Sequence, residues 1–251
     1  MSFEGKVVLI TGGTRGIGKD LARAYLAEKA KVIICSRKEP NVEAAVADLD
    51  ASEDDLLGMS AHIAKEDQVD ALITKAKEKF GQIDILINNA GTNLFIPVVS
   101  EADMGAWRKI IDTNLNGTFL VSRAVIPIMK EAGGGKIVNI SSLAGQLAAP
   151  VMGVYGVTKA GINMLTKVLA MELAPHNIQV NSIAPGVVRT RFSEFLWQNE
   201  ELYQQIVDKT PANRIAETSD IVPAVLFISS SKANYITGQT IVLDGGMSIV
   251  F

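Results

Sequence analysis

A single cysteine, Cys35, stands among 251 residues, so no internal disulfide framework holds this chain together, and a reducing compartment suits it. A lone thiol of this kind reads as a small buried hydrophobe. The two histidines, His62 and His176, are too few and too isolated for a zinc site. No apolar run approaches the length of a membrane span. No charged-then-apolar leader is present, because Met1 to Gly5 runs straight into an apolar strand. With 24 basic and 27 acidic residues mixed along the chain, the net charge is −3 and no basic stripe forms. Nucleic acid and anionic membrane surfaces are therefore excluded as main partners. Repeats, low-complexity tracts and Pro/Ser-rich linkers are also missing. What is left is one cytoplasmic globular domain spanning residues 1–251, with 48% hydrophobic residues to fill its core.

Short β-branched runs alternate with longer amphipathic ones. Lys6–Ile10, Lys31–Cys35, Leu56–Ala61, Ile83–Ile87, Lys136–Ile140, Ile178–Ile183 and Thr240–Leu243 read as seven strands. They are nearly continuous in Val, Ile and Leu, as parallel strands covered on both faces are. The spacing predicts helices over Ile17–Lys29, Val42–Asp50, Asp67–Phe80, Glu101–Glu131, Val154–Leu173 and Ser219–Ser229. Alternation of this kind predicts an α/β fold: a doubly wound (Rossmann), mostly parallel seven-stranded sheet with helices on both faces. Ligands of such sheets sit beyond the carboxyl ends of the strands.

Directly after the first strand comes Thr11-Gly12-Gly13-Thr14-Arg15-Gly16-Ile17-Gly18. Such a turn lets backbone approach a pyrophosphate, whose charge the free N–H groups of a helix start then meet. It could also be a tight connection alone; its place between strand and helix favours a dinucleotide. The second strand ends Cys35-Ser36-Arg37-Lys38, with no acid before Glu39. NAD sites usually carry a carboxylate there, which would repel a 2′-phosphate. Arg15, Arg37 and Lys38 point instead to NADP(H), the arginines as planar clamps on phosphate. Any one of these cations alone would read as a solvated surface charge.

Tyr155 and Lys159 are one helical turn apart and share a face, while Ser141-Ser142 follows the fifth strand. A lone Tyr-x3-Lys arises often by chance, with the Tyr packed and the Lys solvated. Leu165, Val168, Leu169 and Leu173 further along should face inward and fix the first turn of that helix. Carbonyl reduction needs a hydride donor and a proton donor aimed at one group. An ammonium about 4 Å from a phenol, at an effective dielectric of about 20, favours the phenolate by roughly 4 kcal/mol. That would draw a phenol of ordinary pKa about 10 towards working pH, before burial takes some back. Ser142 would hold the substrate oxygen by a hydrogen bond.

Taken together with Asn88-Asn89-Ala90-Gly91, Asn114 and Pro185-Gly186-x3-Thr190, these motifs make the chain resemble the short-chain dehydrogenase/reductase family over essentially its whole length. Within that family it is similar to NADPH-dependent carbonyl and retinal reductases of peroxisomal type. Arg191 to Trp197 and Tyr235 to Gly238 carry that likeness, although Ile249-Val250-Phe251 is not an SKL-like peroxisomal address. The resemblance implies a catalytic tetrad of Asn114, Ser142, Tyr155 and Lys159. It also implies that Lys159 binds the nicotinamide ribose and that Asn114 supports a water relay. Asn89, Ala90 and Gly91 would lie near the cofactor, and Val188 and Thr190 near the carboxamide. His62 and Ile63 stand where many members place an acid against adenine.

Phe192, Phe195, Leu196 and Trp197 read as a lid favouring bulky apolar ketones or aldehydes, as an amphipathic helix packing its apolar face, or as both. The apolar stretch Met247 to Phe251 suggests docking on a neighbouring subunit, and the resemblance suggests a homotetramer. Two other activities remain open. A 3-oxoacyl-[acyl carrier protein] reductase would share fold and tetrad. Its carrier-facing cations are replaced here by Gly133-Gly134-Gly135 and His176, with Lys130 and Lys136 near. A non-catalytic NADP(H)-binding regulator would be expected to have a broken tetrad, and all four positions are intact.

Overall fold

A computed structural model describes residues 2–149 and 151–249. Its strands are β1 (Val7–Thr11), β2 (Lys31–Ser36), β3 (Leu56–Ser60), β4 (Ile85–Asn88), β5 (Gly135–Ile140), β6 (Ile178–Pro185) and β7 (Thr240–Leu243). They form one sheet in the order β3-β2-β1-β4-β5-β6-β7, and every neighbouring pair is parallel, not merely most. The direction of winding reverses between β1 and β4, which opens a crevice at their carboxyl ends.

Side chains of β1 alternate between the two faces. Val8 and Ile10 join a core with Leu21, Tyr25, Ile221 and Val225. Val7 and Leu9 join another with Leu72, Val121, Val125 and Leu169. The first face is covered by α1 (Gly16–Ala27), α2 (Glu39–Leu49) and α9 (Thr218–Ser229). The second is covered by α3 (Glu66–Phe80), α5 (Gly117–Glu131) and α6 (Gly153–Leu173). A buried bond of 2.7 Å between the Tyr25 and Ser229 hydroxyls ties α1 to α9. On the other face Asn88 donates to Asn139 at 2.8 Å and to Ser122 at 3.0 Å, while Asn139 donates to Thr166 at 2.9 Å. This polar ladder locks β4 and β5 to α5 and α6, because a buried amide is costly unless it is paired. Asn88 is thus a structural residue.

Three expectations need correction. The helix predicted over Glu101–Glu131 begins as α4 (Met104–Ile111), passes through a π-helical turn at Asp112–Asn116 and resumes as α5. Beyond the Phe192–Trp197 cluster, on which α7 (Glu194–Gln198) falls, the chain forms a further helix that the spacing does not predict, α8 (Glu200–Asp208). Val168 is 38% exposed rather than inward-facing, because it lies on the outer side of α6 from the buried Leu169 and Leu173.

Candidate active site

A cleft of about 680 Å³ runs across the carboxyl ends of the strands. Of the residues the sequence assigns to the site, all but Gly18 and Asn114 line it. At one end lies the glycine turn. Gly12 has φ +66°, and a Cβ there would stand 2.9 Å from the Ala90 backbone, so no side chain fits. Gly18 packs beneath the turn, where a Cβ would come 2.4 Å from both the Gly12 carbonyl and the Asn89 amide. Asn89 Nδ2 donates to the carbonyls of Thr11 and Gly12 at 3.0 and 3.1 Å, and Thr11 Oγ1 accepts from the Asn89 and Ala90 N–H groups. Asn89 and Thr11 therefore staple the turn to the end of β4; Thr11 carried no signal of this in the sequence. No side chain caps the start of α1. Its first N–H groups are thereby left for an anion.

Ser36, Arg37 and Lys38 follow β2 along the same cleft, with His62 and Ile63 beyond β3. His62 Nδ1 accepts from the Ala64 N–H at 3.2 Å, so the neutral ring carries its proton on Nε2. Burial, then the charges of Arg37 and Lys65, hold its pKa below the ordinary value. Cys35 is free, fully buried and lines the floor of the cleft. Among the described residues no cluster of His, Cys, Asp or Glu is placed to hold a metal ion, and no helix is long and apolar enough to cross a membrane.

At the other end, Ser142, Tyr155 and Lys159 meet on one wall. Ser142 follows β5 in extended backbone, and its Oγ accepts from the Ala144 N–H at 3.1 Å. Ser141 donates to the Lys159 carbonyl at 3.2 Å, which pins α6 to the end of β5. The fit is close: a Cβ at Gly156 would lie 2.6 Å from the Ala144 carbonyl oxygen. Lys159 is 3% exposed; its Nζ donates to the Ile140 carbonyl at 2.6 Å and sits 5.4 Å from the centroid of the Tyr155 ring. Burial lowers its pKa to about 8.

The expectation that Lys159 draws the phenol towards neutral pH is not met in this state. Burial pushes Tyr155 up to about 12, and Ser142 pulls the other way only in part. Desolvation wins because the phenol is 7% exposed and the ammonium lies over the ring face, bonded to a carbonyl.

Asn114 is fully buried behind the cleft, within the π-helical turn. Such turns often re-aim a side chain at a functional site. Its Oδ1 accepts from the Thr92 N–H at 2.8 Å; its Nδ2 donates to the Thr92 carbonyl at 2.9 Å and to Thr158 at 3.1 Å. Thr158 in turn donates to the Tyr155 carbonyl at 2.7 Å. Gly91 lies between Asn114 and Lys159, where a Cβ would be 3.6 Å from Oδ1 and 3.9 Å from Nζ. Thr92 and Thr158 gave no signal in the sequence, since threonine within a helix or loop is common.

The aromatic cluster divides between its two readings. Phe192 packs against Tyr155 with ring centroids 5.7 Å apart and planes tilted by 44°, and lines the cleft with Leu196. Phe195 packs on Phe95 at 5.1 Å, linking α7 to the loop after β4. Trp197 is structural: its indole donates to the Thr190 carbonyl at 3.1 Å, and Arg189 lies over its ring while pairing with Glu217.

A parallel doubly wound sheet with an uncapped helix start beside a glycine turn, and a Tyr–Lys pair on the facing wall, defines a nicotinamide-dinucleotide oxidoreductase. The comparisons agree. Residues 12–248 match the family described as enoyl-(acyl carrier protein) reductase. The chain is 38% identical over 241 residues to dehydrogenase/reductase SDR family member 4 of Homo sapiens, covering 96% of this chain and 87% of that protein. Tropinone reductase-like 3 of Erythroxylum coca is 37% identical over 244 residues, covering 97% and 93%. A short-chain type dehydrogenase/reductase from Mycobacterium ulcerans superposes with a TM-score of 0.95 at 32% identity, covering 100% and 92%. Levodione reductase gives 0.94 at 31%, covering 99% and 100%. The chain belongs to the short-chain dehydrogenase/reductase family.

Proposed function

We propose that this chain is an NADPH-dependent carbonyl reductase in which Tyr155 donates the proton. One observation carries the reading. A single cleft has the Ser142–Tyr155–Lys159 wall at one end, and at the other Arg15, Arg37 and Lys38 without any aspartate or glutamate among its lining residues. Those three cations suit a 2′-phosphate, which a carboxylate would repel. When bound, the reduced nicotinamide supplies the hydride. Tyr155, kept protonated by burial, gives its proton to the carbonyl oxygen, and Ser142 holds that oxygen by a hydrogen bond. Lys159 carries charge beside the phenol, and Asn114 with Thr158 fixes the turn of α6 that presents it. Phe192 and Leu196 supply an apolar wall for the body of the substrate.

Assembly as a homotetramer is part of the proposal. Val157, Met164, Val168 and Met171 form one exposed apolar stripe along α6, and Phe227 and Tyr235 expose apolar surface elsewhere, on α9 and just beyond it. Two separate self-complementary faces can build a closed tetramer. Of the apolar stretch Met247 to Phe251, Val250 and Phe251 lie outside the described residues, and Ile249 is exposed.

The test is oxidation of NADPH and NADH in the presence of apolar ketones, aldehydes and acetoacetyl thioesters. The family match keeps the thioesters in that panel, although Lys136 is half-buried and bonded to Asn234 rather than free to meet a carrier. Reduction of ketones with NADPH well above NADH supports the proposal. NADH preference overturns the cofactor reading, and no turnover with any compound overturns the enzyme reading.

A further inference from the structure

Arg191 and Lys209 line the cleft, yet neither the cofactor site nor the proposed chemistry uses them. Neither makes a side-chain hydrogen bond or ion pair among the described residues. The neighbourhood shows that pairing was available. Arg189, two residues away, is held by Glu217 at 2.9 Å. Glu194, three residues after Arg191, accepts instead from Gln198 at 2.7 Å. Arg191 directly precedes Phe192, whose ring lies against Tyr155, and Lys209 closes the end of α8. Among the described residues no carboxylate lines the cleft to neutralise either one.

Both side chains are exposed in the open cleft, and an apolar substrate seated against Phe192 and Leu196 would displace part of their water with nothing to replace it, which costs free energy. An anionic group on that substrate would reverse the sign of the effect. We infer that Arg191 and Lys209 form an anion-recognising end of the substrate pocket. It would select carbonyl compounds whose apolar body carries a carboxylate or phosphate away from the reacting carbonyl. This inference rests on the carbonyl-reductase reading and names the substrate class of that same site.

The experiment compares three ketones with saturating NADPH: 4-acetylbenzoate, its methyl ester, and 4-acetylphenyl phosphate. The acid and the phosphate should show KM values about tenfold below the neutral ester, as a charge-assisted bond would give. Salt at about 0.5 M should narrow that gap, because exposed charges are screened. Whichever anion gains more identifies the group the site prefers. Arg191→Ala and Lys209→Ala should each raise KM for the anionic ketones roughly tenfold more than for the ester. Equal KM values for acid and ester in the unaltered protein overturn the inference while leaving the reductase reading intact. So does an equal rise for both in the variants. A rise in KM for NADPH with an unchanged acid-to-ester ratio would assign the two cations to the cofactor and overturn it as well. Failure to reduce even the neutral ester removes the reductase reading, and this inference with it.

Discussion

The Nζ of Lys159 donates a 2.6 Å hydrogen bond to the carbonyl of Ile140, the last residue of β5. This bond holds a nearly buried ammonium beside the Tyr155 ring and joins α6 to the central sheet. Burial, rather than this bond, sets the order in which the two groups titrate. Burial holds Lys159 at about 8 and Tyr155 at about 12.

From that order comes a pH dependence. Below about 8 the lysine is charged and the phenol protonated, the pair that reduction needs. As pH climbs through about 8 the ammonium is lost, so kcat/KM for reduction should fall. A profile flat to pH 10 would contradict this. The stability effect has the opposite sense. Between about 8 and the ordinary lysine value of 10.5 the unfolded chain binds the proton that the folded chain has released. This group therefore makes the fold more stable as pH rises through that window, and contributes a constant penalty below it.

Thr158 joins Asn114 to the backbone of Tyr155. Thr158→Val keeps the shape and removes both bonds, leaving one Asn114 donor hydrogen unpaired. Stability should drop by about 1–3 kcal/mol, read from the urea midpoint. As a positioning residue it should also lower kcat while leaving KM for NADPH largely alone. A variant with unaltered kcat and midpoint would show that the link is idle.

Arg37→Asp places a carboxylate where the second strand ends. The KM for NADPH should rise roughly 100-fold, with a much smaller change for NADH. Equal losses for both cofactors would remove the 2′-phosphate contact from Arg37.

Met164 is 59% exposed in the middle of the α6 stripe. Met164→Glu should reduce the assembly, seen as a lower mass by light scattering, since a charge cannot be buried unpaired in an apolar interface. An unchanged mass would contradict use of this face.

Much of the frame was legible because strands covered on both faces are short, continuous and β-branched. Lys31–Cys35 was placed within one residue of the observed β2. The glycine turn, Ser142, Tyr155 and Lys159 were legible because each follows a strand end or shares a helical face. The π-helical turn at Asp112–Asn116 was not, since its residues fit an uninterrupted helical pattern and the extra residue appears only in backbone bonding. α7 falls on the cluster read as a packing helix, whereas α8 escaped because it is short, charged and separated from α7 by Asn199 alone. Phe192 over Tyr155 joins residues 37 apart in sequence, a contact that no local pattern encodes. The strong rise of the Tyr155 pKa escaped for a related reason: burial is set by packing around the site rather than by Tyr-x3-Lys.

The most direct measurement is NADPH consumption by Tyr155→Phe with a neutral aryl ketone, with NADPH binding followed separately by its fluorescence. The variant loses one hydroxyl and keeps the ring that packs against Phe192. Turnover should fall by about 10²–10⁴, the usual contribution of a positioned general acid, while NADPH still binds. Turnover near that of the unaltered protein would mean that the proton comes from elsewhere.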